Sequence, residues 1–300
     1  MVYHTPVLLR ESIGFLVNNP DGIYIDATFG GGGHTAQILS RLSPRGRLIA
    51  FDRDTDALAN KPCDSRLTLV HNNFRFVDNF RRFFLGEKKA DGILADLGVS
   101  SHQFDTAERG FSFRYDAPLD MRMDKGRGRS AADVVNGSEE KRLEEILRLY
   151  GEVEGAHRIA KLIVQAREQA PIRTTGQLNA AIESAIPVQM AHKQLAKVYQ
   201  ALRIEVNGEM RSLEKFLFGA VAALREGGRL VVISYHSLED RMVKNFIRCG
   251  NPQGQLVKDV YGNTRLPLRA VIRRPIVPSE DEIASNTRAR SAKLRVAERL

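Results

Sequence analysis

The segment Gly22-Ile-Tyr-Ile-Asp-Ala-Thr-Phe-Gly-Gly-Gly-Gly-His-Thr35 joins a strand pattern, a glycine run and a helix pattern in direct succession. The apolar run over residues 23–28 predicts a buried strand, and the glycines at 30–33 follow at once. Apolar residues at helical spacing, Ile38, Leu39 and Leu42, come next. Glycines let the backbone approach a ligand closely, and a helix start presents free N–H groups. This order of elements predicts the first half of a nucleotide-binding unit.

The segment Arg47-Leu-Ile-Ala-Phe-Asp-Arg-Asp54 predicts the second half of that unit, because an apolar strand ends there in a carboxylate. Asp52 lies 22 residues after Gly30, close to the spacing of about 20 residues expected for an acid that binds ribose hydroxyls. Most glycine clusters are only turns, but the flanking strand, helix and acid favour a ligand site. Asp26 allows two interpretations, a cap of the glycine turn or a ligand contact.

Further strand patterns at residues 67–70, 91–98 and 229–236 alternate with helix patterns. This alternation predicts an α/β fold with a doubly wound, mostly parallel, Rossmann-like sheet. From about residue 138 to 213 only helix patterns occur, which predicts an inserted all-helical subdomain. We therefore expect a discontinuous domain of residues 1–107 and 213–300 that carries the sheet, and a helical insertion of residues 108–212 for substrate recognition. The helix ending near residue 224 is expected to stop at Gly227 and Gly228.

Composition excludes several classes of protein. In 300 residues, of which 43% are hydrophobic, no run approaches the ~18 apolar residues of a membrane span, and the first residues lack a signal-peptide pattern. Cys63 and Cys249 have neither disulfide-framework nor zinc spacing, so we expect no metal and a cytoplasmic protein. The net charge of +9 is compatible with a polyanionic partner, or simply with a basic soluble protein.

Residues 100–130 are polar and irregular, and a stretch of this length is usually functional or disordered. Its apolar residues, among them Phe111, Phe113 and Tyr115, favour an ordered active-site loop. Asp116, Asp120 and Asp124 lie in this loop among several arginines and are candidate catalytic carboxylates.

Polar and aromatic residues recur where the predicted strands end, which is where open parallel sheets bind ligands. They are Asp26, Asp52, Phe74, Asp96 and residues 234–236. Phe74 fits either a core position or a ring that stacks on adenine, and His236 fits either a base or a hydrogen-bonded scaffold. Thr35 stands where a dinucleotide motif has its last glycine, so S-adenosylmethionine is favoured over NAD as the cofactor.

Several long strings resemble one family over nearly the whole chain. They are Asp26-Ala-Thr-Phe-Gly-Gly-Gly-Gly-His34, Asp96-Leu-Gly-Val-Ser-Ser101, Arg109-Gly-Phe-Ser-Phe113, Leu119-Asp-Met-Arg-Met-Asp124, Ser234-Tyr-His-Ser-Leu-Glu-Asp-Arg241 and Asn286-Thr-Arg-Ala-Arg-Ser-Ala-Lys-Leu-Arg295. Together they are similar to the bacterial 16S ribosomal RNA (cytosine-N4) methyltransferases. The resemblance implies S-adenosylmethionine-dependent methylation of the exocyclic amine of a cytidine in the decoding centre, with 16S ribosomal RNA, within the small ribosomal subunit, as partner. A homodimer is also expected. The cofactor contacts implied by position are Gly32, Gly33, His34, Asp52, Phe74, Asp96 and Gln103.

The chemistry of an exocyclic amine indicates what the site must provide. The lone pair of the cytosine N4 amine is delocalised, so a group must accept its hydrogen bond while the new bond forms. Asp96 is one candidate acceptor, and Asp116, Asp120 and Asp124 are alternatives. The target base has to leave its stack, and Phe111, Phe113 or Tyr115 could hold it. Candidate phosphate contacts are Arg109, Arg114, Arg269, Arg273, Arg274, Arg288 and Arg290. Two other classes stay open at this point, a nicotinamide-dependent oxidoreductase and a non-enzymatic RNA-binding protein.

Overall fold

The computed structural model describes residues 6–258, 261–264 and 266–300. The chain divides into two compact units, a sheet unit of residues 1–98 with 210–300 and a helical unit of residues 99–209. The first five residues of the predicted sheet domain lie outside the described residues. The roles assigned to the predicted ranges 1–107, 213–300 and 108–212 stay predictions.

The helices and strands follow one another in the chain as α1 (Leu9–Leu16), β1 (Ile23–Asp26), α2 (Gly33–Arg41), β2 (Arg47–Asp52), α3 (Thr55–Leu58), β3 (Leu67–His71), α4 (Val77–Leu85), β4 (Ala90–Asp96), α5 (Ser101–Asp105), α6 (Ala131–Gly137), α7 (Glu140–Gly151), α8 (Ala156–Gln169), α9 (Thr175–Ile182), α10 (Ala191–Asn207), α11 (Glu209–Ala223), β5 (Leu224–Ser234), α12 (Ser237–Cys249), β6 (Leu268–Ala270), α13 (Glu280–Ser285) and β7 (Lys293–Arg299). Short 3-10 helices lie at Phe74–Phe76, Ala107–Arg109, Glu183–Ala185, Val188–Met190 and Thr287–Ser291. Among the described residues, none of the helices combines the length and apolarity needed to cross a bilayer.

Within the described part of the chain the sheet contains seven strands, in the order β3-β2-β1-β4-β5-β7-β6. The five strands from β3 to β5 pair in parallel, whereas β7 runs antiparallel to both β5 and β6. Ile25 of β1 is in register with Ile49 of β2 on one side and with Ile93 of β4 on the other. The strand order reverses between β1 and β4, and in such sheets the ligand crevice lies beyond the carboxyl ends of the strands.

Helices cover both faces of this sheet, which explains why its strands read as continuous apolar runs. On one face Ile25, Ile49 and Ile93 pack with Phe216 of α11 and Phe246 of α12. On the opposite face the alternate residues of the same strands pack with α1 and α2; the buried set includes Tyr24, Leu48, Leu94, Leu16 and Ile38. The predicted α/β, doubly wound, mostly parallel sheet is therefore confirmed.

The start of β5 differs from the prediction. Helix α11 ends at Ala223 rather than at the glycine pair, and β5 already begins at Leu224. The pairing of β4 with β5 shifts register between Ala90 and Gly92. A Cβ at Gly228 would lie 2.8 Å from the carbonyl oxygen of Arg225, so this position needs glycine for close backbone approach. The glycine pair thus serves an irregularity inside the strand instead of ending a helix.

The helical unit has its own apolar core. Leu143, Ile146 and Leu147 of α7 pack with residues of α8 and α10, such as Ile163 and Leu202. The irregular stretch that precedes α6 is ordered in this core, as predicted. Its backbone is fixed by hydrogen bonds from Leu119 N to Arg173 O (2.9 Å) and from Met121 N to Arg109 O (3.0 Å), among others. Apolar anchors therefore fold this polar stretch against the helices.

Candidate active site

Three carboxylates end neighbouring strands of the sheet unit: Asp26 ends β1, Asp52 ends β2 and Asp96 ends β4. Because parallel strands bring their carboxyl ends to one edge, these side chains, predicted from separate parts of the sequence, come together. The charge of Asp26 raises the pKa of Asp96, and that of Asp52 raises the pKa of Asp26. This edge is consequently acidic.

The glycine turn joins β1 to α2. Gly32 has a positive φ of 79°, a left-handed conformation that residues with a Cβ seldom adopt. A Cβ at Gly33 would lie 2.2 Å from Cγ of Pro6, so this glycine lets the helix start pack closely. Gly32 therefore has a conformational reason and Gly33 a packing reason to be glycine, in addition to any contact of their backbone with a ligand.

Asp26 stabilises the glycine turn through hydrogen bonds to residues on both sides of it. It is wholly buried, its Oδ1 accepts a hydrogen bond from the Thr28 N–H (3.1 Å), and its Oδ2 accepts one from the Thr35 hydroxyl (2.7 Å). Burial raises the pKa of Asp26 to about 6, against the hydrogen bonds of Thr35 and Thr28, which lower it. Of the two interpretations offered by the sequence, the structure supports the turn cap.

Asp52 is oriented by the backbone on both of its oxygens. Its Oδ2 accepts a hydrogen bond from the Gly30 N–H (2.7 Å), and its Oδ1 accepts one from the Asp54 N–H (2.8 Å). Burial raises the pKa of Asp52, while these N–H groups lower it. An ionised carboxylate offers about four lone-pair sites, so Asp52 keeps acceptor capacity for a ribose hydroxyl.

Phe74 begins the short 3-10 helix that follows β3. Asn73 caps this helix by accepting a hydrogen bond from the Arg75 N–H (3.0 Å). The rings of Phe74 and Phe216 meet edge to face, with centroids 5.2 Å apart. Phe74 is only partly buried, so it packs on the core and still presents surface to a ligand. Its stacking on adenine stays a prediction.

Asp96 has the most perturbed carboxyl group of this edge. Its Oδ1 accepts a hydrogen bond from the Tyr235 hydroxyl (2.7 Å), and its backbone N–H donates to Thr28 Oγ1 (2.7 Å). Burial raises the pKa of Asp96 to about 7; Asp26 and Glu239 add to this, and the Tyr235 hydrogen bond opposes it. The side chain nevertheless keeps 23% of its surface exposed, so a ligand can reach it.

His34 lies in the first turn of α2, with Nδ1 3.7 Å from Asp96 Oδ2. Burial lowers the pKa of His34 to about 4, which leaves the imidazole neutral at pH 7. The pair is therefore not an ion pair at neutral pH, and His34 does not offset the negative charge of this edge.

Residues 234–236 lie at the end of β5 and just beyond it, and they have mostly structural contacts. The Nδ1 of His236 accepts a long hydrogen bond from the Glu239 N–H (3.4 Å), so His236 is the N-cap of α12. Glu239 Oε2 in turn accepts from the Tyr235 N–H (3.0 Å). This cap supports the scaffold interpretation of His236, and its interpretation as a base stays a prediction. Sequence reasoning included Tyr235 in the range 234–236 but assigned it no role, since nothing in the string indicates which strand end its hydroxyl reaches.

The comparison with known proteins decides the family. Residues 1–300 match the model of the MraW methylase family. The chain belongs to this family. Proteins named ribosomal RNA small subunit methyltransferase H are similar over their full length. That of Bacteroides fragilis (strain YCH46) is 54% identical over 298 residues, covering 99% of this chain and 97% of the relative. That of Christiangramia forsetii is 52% identical over 300 residues, covering 100% of this chain and 99% of the relative.

Membership of the MraW methylase family confirms the resemblance predicted from the sequence motifs. It also sets aside the oxidoreductase and the non-enzymatic RNA-binding alternatives, because neither is a methylase. S-adenosylmethionine is accordingly the methyl donor, as predicted.

The acidic edge fits this cofactor by the chemistry of its groups. The ribose hydroxyls of S-adenosylmethionine are hydrogen-bond donors, and Asp52 has acceptor capacity for them. The sulfonium is positively charged, which an edge carrying Asp26, Asp52 and Asp96 tolerates well. Gly32, Gly33, His34 and Phe74 lie in the turns and helix starts that follow β1 and β3. The assignment of these residues to the cofactor stays a prediction.

The remaining predicted site residues belong to the helical unit. Gln103 is buried in the first turn of α5 and forms a capping box with Ser100, in which its Oε1 accepts from the Ser100 N–H (3.0 Å). This contact gives Gln103 a structural role of its own, and its cofactor contact stays a prediction.

The three loop carboxylates already have partners within the helical unit. Asp116 accepts a hydrogen bond from the Gly176 N–H (2.9 Å), and Asp124 accepts one from the Gly126 N–H (3.0 Å). Asp120 forms a two-pronged ion pair with Arg122, in which Nε and Nη2 each lie 2.8 Å from a carboxylate oxygen. Hydrogen bonding, first to the Thr174 hydroxyl, lowers the pKa of Asp116. Burial raises the pKa of Asp120, but the contacts with Arg122 have the larger combined effect, so the pKa is lowered overall.

Two further loop predictions are corrected by burial. Phe111 retains only 4% exposure in the helical core, so it is a packing residue in this structure and not an exposed stacking ring. Arg109 is buried as well, and its Nη2 donates to the carbonyl oxygens of Arg122 (3.0 Å) and Met123 (3.1 Å). It therefore holds the loop together and is not presented to phosphate. Tyr115, by contrast, is 61% exposed.

Proposed function

We propose that this methylase transfers the methyl group of S-adenosylmethionine to the N4 amine of a cytidine in the decoding centre of 16S ribosomal RNA. Family membership and relatives named ribosomal RNA small subunit methyltransferase H support the substrate. The observation that carries the chemistry is Asp96, a reachable carboxylate at the acidic edge with a pKa raised to about 7.

The amine needs an acceptor because its lone pair is shared with the cytosine ring. When bound, S-adenosylmethionine supplies an electrophilic methyl group on a positively charged sulfur. Asp96 accepts a hydrogen bond from the amine, which favours localisation of the nitrogen lone pair. As the N–C bond forms and the C–S bond breaks, the amine must lose a proton, and Asp96 takes it up. A carboxyl with a pKa near the working pH is suited to this, since it is sufficiently ionised to accept the proton and basic enough to retain it.

Asp96 is favoured over the other predicted carboxylates on the same criterion. The pKa values of Asp116 and Asp120 are lowered by their hydrogen bonds, so both are weaker proton acceptors. Asp120 also uses both oxygens for Arg122. We propose that Asp116 and Asp120 order the loop, and that Asp96 receives the proton. Asp124 stays a predicted alternative acceptor of the amine.

Exposed arginines are proposed to hold the RNA backbone. With Arg109 buried, the exposed members of the predicted set are Arg114, Arg269, Arg273, Arg274, Arg288 and Arg290. Arg269 pairs with Glu298 (2.6 Å), so it is partly neutralised. Each phosphate that such a residue contacts releases counterions, which makes the binding salt-dependent.

The proposal is tested by supplying the purified protein and S-adenosylmethionine with small subunits from a strain that lacks the corresponding gene. Mass spectrometry of digested 16S RNA should show one N4-methylcytidine in the decoding centre, with the Asp96→Asn variant at least about a hundredfold slower. Absence of N4-methylcytidine in both small subunits and naked 16S RNA would refute the function.

Three finer expectations belong to the same proposal. We expect small subunits to be better substrates than naked RNA, and the same assay compares them. We expect a homodimer, which sedimentation of the free protein would reveal. We also expect a cytoplasmic location, which fractionation of cells would test.

A further inference from the structure

The Tyr235 hydroxyl bridges two strand ends at the acidic edge. Strands β4 and β5 are neighbours, and Asp96 at the end of β4 is in register with Ile233 of β5. Two residues further on, the Tyr235 hydroxyl donates to Asp96 Oδ1 at 2.7 Å, a strong hydrogen bond to a carboxylate. The Tyr235 backbone is itself fixed, because its N–H donates to Glu239 Oε2 (3.0 Å).

We propose that Tyr235 is a positioning residue for methyl transfer, which binds Asp96 Oδ1 and leaves Oδ2 to receive the proton of the cytidine amine. This inference rests on the proposed function of Asp96. Oδ2 lies 3.7 Å from His34 Nδ1, beyond ordinary hydrogen-bonding distance, so its lone pairs can meet an amine. Tyr235 thus orients one oxygen of the carboxylate by occupying the other.

The groups around Asp96 give this hydroxyl a second effect. Burial, Asp26 on β1 and Glu239 on α12 all raise the pKa of Asp96. His34 on α2 is neutral near pH 7, since burial lowers its pKa to about 4. The Tyr235 hydroxyl opposes these effects and lowers the pKa of Asp96. Burial and the charge of Asp96 keep the pKa of Tyr235 well above its usual value, so it remains a donor at every working pH.

Tyr235→Phe removes this donor and should raise the pKa of Asp96 by about one unit, the lower end for a hydrogen bond to a charged group. Starting from a pKa of about 7, the ionised fraction at pH 6 falls from about 9% to about 1%. Methyl transfer should therefore be about ninefold slower at pH 6 and almost unchanged at pH 9. A purely structural defect would slow transfer by the same factor at both pH values.

Tyr24→Phe is the matched control. Tyr24 is another buried tyrosine of the sheet unit, and its hydroxyl donates to the Asn19 carbonyl oxygen (3.0 Å). This contact lies before β1, at the opposite end of the strand from Asp26. The control loses the same hydroxyl without altering Asp96, so its pH midpoint should equal that of the unmodified protein.

Two readouts test the inference. The Asp96 carboxyl carbon is titrated by NMR in cofactor-free protein, with its signal assigned from the Asp96→Asn variant, and single-turnover transfer to small subunits is measured from pH 5.5 to 9. We expect both midpoints to rise by about one unit in Tyr235→Phe only. An unchanged NMR midpoint, or an equal loss of rate at pH 6 and pH 9, would overturn the inference. If the unmodified protein transfers no methyl group at all, both the proposed function and this inference are refuted. If it is active but Tyr235→Phe leaves both midpoints unchanged, only this inference is refuted.

Discussion

Replacing Asp52 by asparagine should weaken the binding of S-adenosylmethionine and also destabilise the fold. The carboxylate accepts hydrogen bonds from the N–H groups of Gly30 (2.7 Å) and Asp54 (2.8 Å). Asparagine keeps the shape but offers one oxygen and one NH2 group, so one of these donors then faces another donor. The remaining oxygen has to serve both the backbone and the ribose.

The expected magnitude follows from the strength of a hydrogen bond to a charged acceptor. One such bond from a ribose hydroxyl is worth about 1.5–3 kcal/mol, so the Kd should rise by about 10- to 150-fold. The free energy of unfolding should fall by about 1–3 kcal/mol, because one backbone N–H no longer has an acceptor. Asp52→Ala removes both oxygens and should weaken binding further.

Calorimetric titration with S-adenosylmethionine measures the Kd, and urea unfolding of the same samples measures stability. Asp21→Asn is a suitable control, because Asp21 precedes β1 and pairs with Arg45, away from the glycine turn. If Asp52→Asn is destabilised but its Kd stays within about threefold of the unmodified value, Asp52 only supports the turn and the ribose assignment is wrong.

Four further predictions concern packing, protonation, RNA binding and the stability of the loop. Gly33→Ala places a Cβ 2.2 Å from Cγ of Pro6; thermal unfolding should report a loss of about 1–3 kcal/mol, and unchanged stability would show that Pro6 moves aside freely. Because the pKa of Asp96 is raised to about 7, single-turnover methyl transfer should increase through neutral pH as the carboxyl ionises, and a rate independent of pH from 6 to 8 would contradict its role. Joint replacement of Arg273 and Arg274 by alanine should reduce the slope of log K for RNA against log salt by about 0.7–0.9 for each phosphate that these side chains neutralise. Arg109→Ala should instead lower the unfolding free energy, since its guanidinium is buried on carbonyl oxygens; a changed salt slope with unchanged stability would reverse that assignment.

Local patterns in the chain were enough to predict the sheet and the acids at its carboxyl edge. The parallel strands β1, β2 and β4 are buried on both faces, so their sequences are apolar throughout and stand out without any alignment. Each of these strands ends in an aspartate, which is why Asp52 and Asp96 could be named from the sequence. The glycine run between β1 and α2 was visible for the same reason, since a close turn leaves no room for side chains at Gly33.

Predictions that depended on burial or on distant partners were less successful. Arg109 and Phe111 resemble surface ligands in the sequence, yet both are packed inside the helical unit. The glycine pair at 227 and 228 matches the pattern of a helix stop, but the pairing of β5 with β4 places it within a strand. The pairing of β5 with β4 stabilises strands that are far apart in the chain, so a local sequence pattern does not reveal it.

By itself the sequence determined the fold class, the family and the acids that line the carboxyl edge, because these follow from periodicity, spacing and long motifs. Only the tertiary structure decided which acid does what. Asp26 became a buried cap, Asp52 an oriented acceptor and Asp96 a carboxyl with a pKa near 7, through contacts that reach from Thr28 to Tyr235. Tyr235 and Asp96 are 139 residues apart in the chain, and the protonation of a carboxyl depends on burial and neighbouring charges that exist only after strands from distant parts of the chain have come together.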